Sequence, residues 1–476
     1  MWPSSICGMR IALAVFTYCV NLCCALQKQA LVTEASIAGG HWIDTWASMP
    51  QLCEPANLPP VPYRFLTNKS NQNDTAVIFK NSTIRQTVHV TTGAEQIRLR
   101  ISNAFGLTDL PITAVTIGLP FNGSAGVGAI QPSTLQTVTF SGGEESITIP
   151  NGALAVSDPL NLTVQAQSNL AITIYLASGQ NGSSITSHPG SRTTSWMTVG
   201  NQVGATNLTG PVLNSTAHWQ VMILPSLTIL LTFVVRYFIS ALEAWSPANY
   251  RNFAIIGDSI TDGRGSDTNQ NNRWPDLVLA RLQSSASPFA TSLSISNLAA
   301  GGNRILYDGL GPNVLARLDR DVLSHAGVRY VMIFEGVNDI GVAATDAANQ
   351  TLTYNRLVSA YRQIATRVHA FGIPIFGATI TPFSAPNGNS TLQPYTSDAR
   401  EQTRQKVNDF IRTSGVFDAV LDFDQILRNQ TVPSQLADAL QGGDYLHPNG
   451  KGYQLLAAEF DLSIFERFAG GIGGFV

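Results

Sequence analysis

Residues 253–263 read Phe-Ala-Ile-Ile-Gly-Asp-Ser-Ile-Thr-Asp-Gly. An apolar run stops abruptly at Gly257 and hands over to Asp258 and Ser259. That is the pattern of a strand buried on both faces of a parallel sheet, delivering a side chain at its carboxyl end. Open α/β sheets build their sites at those ends. Ser259 therefore stands where a nucleophile could stand. A serine hydroxyl is weak at its free pKa and needs a base and a group to orient that base.

The chain around this stretch has the grammar of alternating strands and helices. Further apolar runs occur at Leu293–Leu298, Tyr330–Phe334, Ile375–Ile380 and Ala419–Leu421. Between them the spacing predicts helices over Trp274–Gln283, Val314–Leu323, Tyr354–Phe371 and Asp398–Ile411, with a last helix from about Gly452. Gly372 and Pro374 end the third of these. Five strands with intervening helices predict a doubly wound parallel sheet.

The partners Ser259 needs are sought among few histidines. His325 and His369 fall in or at the ends of predicted helices, where a satisfied histidine is the ordinary case. His447 lies in Gly-Gly-Asp-Tyr-Leu-His-Pro-Asn-Gly, a loop ahead of the last helix, with Asp444 three residues before it. One turn of loop can place the carboxylate on Nδ1–H and leave Nε2 for the serine. A lone Asp-x-x-His usually belongs to a solvated loop. Acyl transfer also needs donors to the oxyanion. The second strand is followed by Asn297-Leu298-Ala299-Ala300-Gly301-Gly302-Asn303-Arg304, whose glycines can expose a backbone N–H. The third is followed by Phe334-Glu335-Gly336-Val337-Asn338-Asp339, where the Asn338 amide can point inward. The Ser259 N–H is a third candidate. Turns alone explain such residues often; the coincidence of four polar signals at neighbouring strand ends favours one site.

Upstream, from His41 to about Trp219, the pattern is β. Ile97, Leu99 and Ile101 alternate with Arg98 and Arg100, and Ile147 and Ile149, then Ile172, Ile174 and Leu176, repeat the period of two. Gly, Pro, Asn and Ser punctuate these runs, which predicts an antiparallel sandwich or jelly roll. Trp42, Trp46, His188-Pro189 and Trp196 stand out here, either as core or as a platform for sugar rings. Core is the expectation for the tryptophans.

The first 25 residues carry Arg10, an apolar run within Ile11–Leu22, and Cys23-Cys24-Ala25, the pattern of a cleaved secretory signal. Asn-x-Ser/Thr occurs at Asn68, Asn73, Asn81, Asn122, Asn161, Asn181, Asn207, Asn214, Asn349, Asn389 and Asn429, which with the signal suggests an exported glycoprotein. Cleavage leaves Cys53 alone, so no intrachain disulfide or cysteine-based metal site is expected, and a buried thiol is. A net charge of −3 with no basic block argues against a nucleic-acid partner. Val221–Val235 is strongly apolar but short for a membrane span and holds Pro225.

Together the blocks Gly257-Asp258-Ser259-Ile260, Gly302, Gly336-Val337-Asn338-Asp339 and Asp444-Tyr445-Leu446-His447-Pro448 resemble the SGNH (GDSL-type) hydrolase superfamily. The resemblance implies a flavodoxin-like α/β/α catalytic domain. It implies Ser259 as nucleophile, His447 as base and Asp444 as its orienter. Its oxyanion hole would be the N–H groups of Ser259 and Gly302 and the Asn338 amide, with Asp258 supporting them. Thr45-Trp46-Ala47, Arg98–Phe105, Arg273-Trp274-Pro275-Asp276 and Glu335–Gly341 extend the likeness to secreted microbial and fungal members with a β-domain ahead of the catalytic one. In those, a His-Trp pair runs almost directly into Tyr-Phe. Here Gln220–Arg236 separates Trp219 from Tyr237-Phe238, an insertion of the kind that retained untranslated sequence would leave. Peptide mass spectrometry of the secreted protein that recovers residues 221–235 excludes that origin.

The expected organisation is a signal peptide at 1–25, a β-sandwich domain at 40–219, a hydrophobic insertion or linker at 220–249 and a catalytic domain at 250–466. The expected activity is that of a secreted serine esterase, with no metal or organic cofactor. Its partner is an ester substrate, with acetylated polysaccharide and acyl lipid both open, and stable membrane association is not expected. The Gly-x-Ser-x-Gly elbow is absent, because position 261 is Thr. Two rivals stand beside this reading. One is a carbohydrate-binding or adhesive glycoprotein with a secondary or inactive hydrolase domain. The other is a protein tethered to a membrane by Val221–Val235.

Overall fold

A computed structural model describes residues 39–66, 76–208, 213–215 and 235–473. The expected signal peptide and the apolar stretch 221–234 lie outside the described residues. No helix among the described residues is long and apolar enough to cross a membrane.

The C-terminal region is built on five strands: β1 (Arg251–Gly257), β2 (Leu293–Ala299), β3 (Val328–Phe334), β4 (Ile375–Ala378) and β5 (Ala419–Leu421). They pair in parallel in the order β2-β1-β3-β4-β5. This is the flavodoxin-like order, with its switch point between β1 and β3. The helices that matter below are α1 (Ser259–Asp262), α2 (Trp274–Gln283), α3 (Val337–Val342), α4 (Ala347–His369), α5 (Asp398–Thr413) and α6 (Gly450–Glu459). Strand alternation sorts the apolar run into two layers. Ala254 and Ile256 of β1 join Leu357, Ile364 and Val407 of α4 and α5 in one core. Phe253 and Ile255 join Val278 and Leu279 of α2 and Leu456 of α6 in another. A strand with both faces covered reads as continuous apolar sequence, as this one does. The predicted helix over Val314–Leu323 is an α-helical turn, Val314–Leu318, that widens into a π-type turn over Asp319–Leu323.

The N-terminal region is all β. A six-stranded antiparallel sheet runs in the order 213–215, Ser195–Val199, Ser82–His89, Asn169–Leu176, Ala114–Gly118 and Gln136–Val138. A four-stranded sheet holds Gly40–Ala47, Ile239–Pro247, Ile97–Ser102 and Leu154–Val156. Residues of both, including Ile84, Val88, Ile97, Leu99, Ile101, Ile172 and Ile174, share one apolar core, the arrangement of a sandwich.

Two sequence expectations change here. Residues 236–247 are not linker: Arg236–Tyr237 pairs with Thr186–His188, and Ile239–Pro247 pairs with Ile97–Ser102. Val235 and Arg236, at the end of the supposed insertion, are buried in this region. The Arg236 guanidinium lies 4.6 Å over the Trp46 ring and donates to the Thr87 carbonyl. The stretch reads Ile-Ser-Ala-Leu-Glu-Ala-Trp-Ser-Pro, whose Ala, Leu and Glu carry little β signal of their own, so its neighbours place it in the sheet. The β-region and the α/β region, moreover, are not separate bodies. The described residues within 42–245 and 249–473 form one compact unit.

Candidate active site

Strand register assembles the site. Gly257 at the end of β1 lies beside Ala299 of β2 and Phe334 of β3. The residues that follow each strand therefore emerge at one level. Gly257 permits the turn, because a Cβ there would sit 2.5 Å from Thr261. Asp258 caps α1: its Oδ1 accepts from the Ile260 N–H at 2.9 Å. Ser259 is the first residue of α1 and is nearly buried.

Across the site, Ser259 Oγ lies 2.7 Å from His447 Nε2. His447 Nδ1 lies 2.6 Å from Asp444 Oδ2. The other Asp444 oxygen accepts from the backbone N–H groups of His447 at 2.9 Å and Leu446 at 3.1 Å. Tyr445, between them, takes a left-handed φ of 58°, which folds the carboxylate back on its own loop. Gln393 Nε2 donates to the Asp444 carbonyl at 2.7 Å and pins that loop from outside. Because Nδ1 faces a carboxylate, the proton sits there and Nε2 is free to accept from the serine.

The electrostatics agree with that protonation. Burial pulls the His447 imidazole below its ordinary 6.5, against Asp444, while the Arg264 and Arg192 charges lower it further. Burial alone would raise Asp444. The hydrogen bond and charge of His447 and the two backbone N–H groups outweigh it and hold the carboxyl well below the usual range. The half-exposed Arg264 stands 3.7 Å from Asp444 Oδ2.

Gly302 and Asn338 face the same end of the sheet. Gly302 has φ 71°, and a Cβ on it would lie 2.6 Å from Leu310. Asn338, in α3, is held at both ends of its amide. Tyr395 Oη donates to its Oδ1 at 3.0 Å, and its Nδ2 donates to the Asn303 carbonyl at 2.9 Å. One N–H of Nδ2 is left for another acceptor. Asn303 in turn accepts from Arg317 Nε at 3.0 Å and donates to the Pro312 carbonyl at 2.8 Å. Arg317 lies 3.7 Å from the buried Glu335. Asp339 accepts from the N–H groups of Ile305 and Leu306 at 2.8 and 3.0 Å. Burial raises Asp339 to about 6 and Asp258 to about 7.

Every residue singled out in the sequence for this chemistry thus lies at one end of the sheet. The other candidates go elsewhere. His325 Nδ1 bonds the Asp44 carboxylate, and His369 Nε2 lies 2.9 Å from Asp418. Trp46 is buried, and Trp196 donates from Nε1 to the Gly126 carbonyl at 2.8 Å. Trp42 packs edge-on against Trp245 at 5.2 Å and under Arg98 at 4.4 Å. Cys53 is a buried free thiol, pushed up to about 12 by burial. Sequence reading missed Tyr395, Gln393 and Arg264, whose roles depend on contacts across many residues that no local pattern reports.

Among known proteins, residues 253–460 match the family model of the GDSL-like lipase/acylhydrolases. No match was found among curated protein sequences. Similar solved structures include a GDSL-like lipase from Bacteroides thetaiotaomicron, 18% identical over 46% of this chain and 89% of the other, with a TM-score of 0.32. A variant of an acetyl xylan esterase from Geobacillus stearothermophilus is 20% identical over 48% of this chain and 97% of the other, also with a TM-score of 0.32. Residues 253–460 of this chain are a GDSL-like lipase/acylhydrolase domain.

Proposed function

We propose that the protein is a secreted serine esterase that cleaves carboxylic esters through an acyl-enzyme on Ser259. The observation that carries this is the continuous relay from Ser259 Oγ to His447 to Asp444, at 2.7 and 2.6 Å. Ser259 attacks the ester carbonyl while His447 Nε2 takes its proton. Asp444 holds the imidazole in the tautomer that allows this and stabilises the imidazolium that forms. The tetrahedral oxyanion is received by the N–H groups of Ser259 and Gly302 and the free N–H of Asn338. The Ser259 N–H opens a helix and so has no acceptor within it. His447 then gives its proton to the departing alcohol, and a water activated by the same nitrogen releases the acid.

Export is part of the proposal. The signal-like first 25 residues motivate it, and the acceptor asparagines Asn81, Asn122, Asn161, Asn181, Asn207, Asn349 and Asn389 are all exposed. Acetylated xylan, acetylated pectin and acyl esters of rising chain length are the substrates to compare. Fluorophosphonate labelling of the wild-type protein, lost in Ser259→Ala, tests the nucleophile directly. A serine that does not label points instead to the binding-protein reading.

A further inference from the structure

The Thr186–His188 strand of the β-region brings His188 onto the catalytic turn. His188 is buried. Its Nδ1 lies 3.0 Å from the Met49 carbonyl and its Nε2 lies 3.0 Å from Asp262 Oδ1. Asp262 ends α1, one helical turn after Ser259, and is also buried. Its other oxygen, Oδ2, accepts from the Gly301 N–H at 3.1 Å. Gly302, next in the chain, is the proposed oxyanion donor. One carboxylate therefore ties the helix of the nucleophile to the turn of the oxyanion hole, and a histidine from the other region holds that carboxylate.

The loop after His188 tightens the arrangement. A Cβ on Gly190 would lie 1.6 Å from Asp262 Oδ2, so the backbone at 190 lies directly against the carboxylate. Asn269 fastens the far end of the loop: its N–H donates to the Arg192 carbonyl at 2.9 Å, and its side chain exchanges hydrogen bonds with the N–H and Oγ1 of Thr194 at 2.8 and 2.9 Å. The proton count follows from the partners. A carbonyl can only accept, so Nδ1 carries a proton. Nε2 is left to meet Asp262 Oδ1 in a buried hydrogen bond. Truncating either partner of such a buried pair removes a contact that holds the Asp262 carboxylate in place.

We infer that His188 is a positioning residue of the esterase site: through Asp262 it fixes the Gly301-Gly302 turn against Ser259, and the β-region is thereby part of the catalytic apparatus. This rests on the serine-esterase reading. Donors aimed at a developing charge act through accurate placement, and a shift of about 1 Å can cost about 10²-fold in rate. Binding of the uncharged ground state depends on that placement far less.

The test is a double-mutant cycle on the full-length protein with a soluble acyl ester. His188→Ala is expected to lower kcat about 10- to 10²-fold with KM held within about threefold. Asp262→Asn is expected to do the same, and the double variant to be no slower than the slower single one, because both remove one device. His188→Gln, which keeps an N–H toward Asp262, should recover much of the loss. Should His188→Ala fail to fold, His188→Gln and Asp262→Asn carry the comparison. Additive losses in the cycle, a kcat within twofold of wild type in folded His188→Ala or Asp262→Asn, or a rise in KM alone would overturn the inference. Full turnover by Ser259→Ala would instead overturn the esterase reading beneath it.

Discussion

The two halves of this protein bury polar groups to opposite ends. In the α/β region one cluster of buried polar groups sits where strands stop, Asp258, Ser259, Asn303, Glu335, Asn338 and His447, and a smaller one, Asn252, Ser294 and Ser296, lies along β1 and β2. In the β-region they run along the strands themselves. Ser82–His89 is buried almost throughout, although its sequence alternates. Ile84 and Val88 face the apolar core. Arg85 turns to the other face, where Nε donates to Thr173 Oγ1 at 2.8 Å, Nη1 to the Gly128 carbonyl at 2.7 Å and Nη2 to the Ala205 carbonyl at 2.6 Å. The first cluster surrounds the candidate site, whereas Arg85 holds loops over a sheet face. Where the regions meet, polarity is again structural: Asn252 Nδ2 donates to the Asp44 carbonyl, and Thr91 Oγ1 accepts from the Ile295 N–H.

That contrast can be broken at several points. The largest effect expected is from Ser259→Ala, which should lower kcat by about 10⁴-fold or more with little change in Tm. Steady-state kinetics beside a thermal melt would reveal a variant that unfolds instead, and such a result would make Ser259 structural. Next comes Asn338→Ala. Losing one oxyanion donor costs about 10²–10³ in kcat, and an unchanged kcat would take Asn338 out of the hole. The β-region should answer in stability instead. Arg85→Met strands one buried and two half-buried acceptors and should cost about 2 kcal/mol by urea denaturation, while the folded protein keeps its kcat. A loss below about 0.5 kcal/mol would mean that the loops over this sheet face are fastened by something else. Tyr395→Phe sharpens the comparison within the site, since it frees one end of the Asn338 amide; kcat should fall about tenfold, with KM steady. The smallest effect is on pH dependence. His447 must be neutral to take the serine proton, and burial lowers its pKa, so kcat/KM should fall with acidification through a midpoint below 6.5. A midpoint above 6.5 would mean that the Asp444 charge outweighs burial.

The same contrast governs how much could be read from the sequence. The five parallel strands and four of the helices were legible because burial on both faces leaves an unbroken apolar run, and helices between them keep a 3.6-residue period. Trp274–Gln283 is realised with the expected ends. Ser259, Gly302 and Asn338 were legible shortly after those runs, and Asp444 and His447 in the loop ahead of the last helix. Ile239–Pro247 was not, since its Ala-Leu-Glu-Ala segment is buried by strands and a neighbouring region rather than by its own periodicity. Asp262 and Tyr395 were silent for a related reason, and His188 stood out in the sequence without its partner. His188 meets Asp262 across 74 residues, and Tyr395 meets Asn338 across 57. Only the fold brings such pairs together.

Asn303 carries a last consequence. Its side chain takes a hydrogen bond from the fully buried Arg317, and its carbonyl takes one from Asn338. Arg317 is bound in turn to the Leu298 carbonyl of β2. The turn after β2 and the helix after β3 therefore cannot open one at a time without breaking the buried hydrogen bond from Asn338 to the Asn303 carbonyl. Local openings of this kind are what amide hydrogen exchange samples. The amides around Asn303 and Asn338, although they belong to a turn and a short helix at the mouth of a site, should exchange on the slow timescale of the central strands. Exchange there as fast as in an exposed loop would show that the Asn303–Asn338 contact opens on its own.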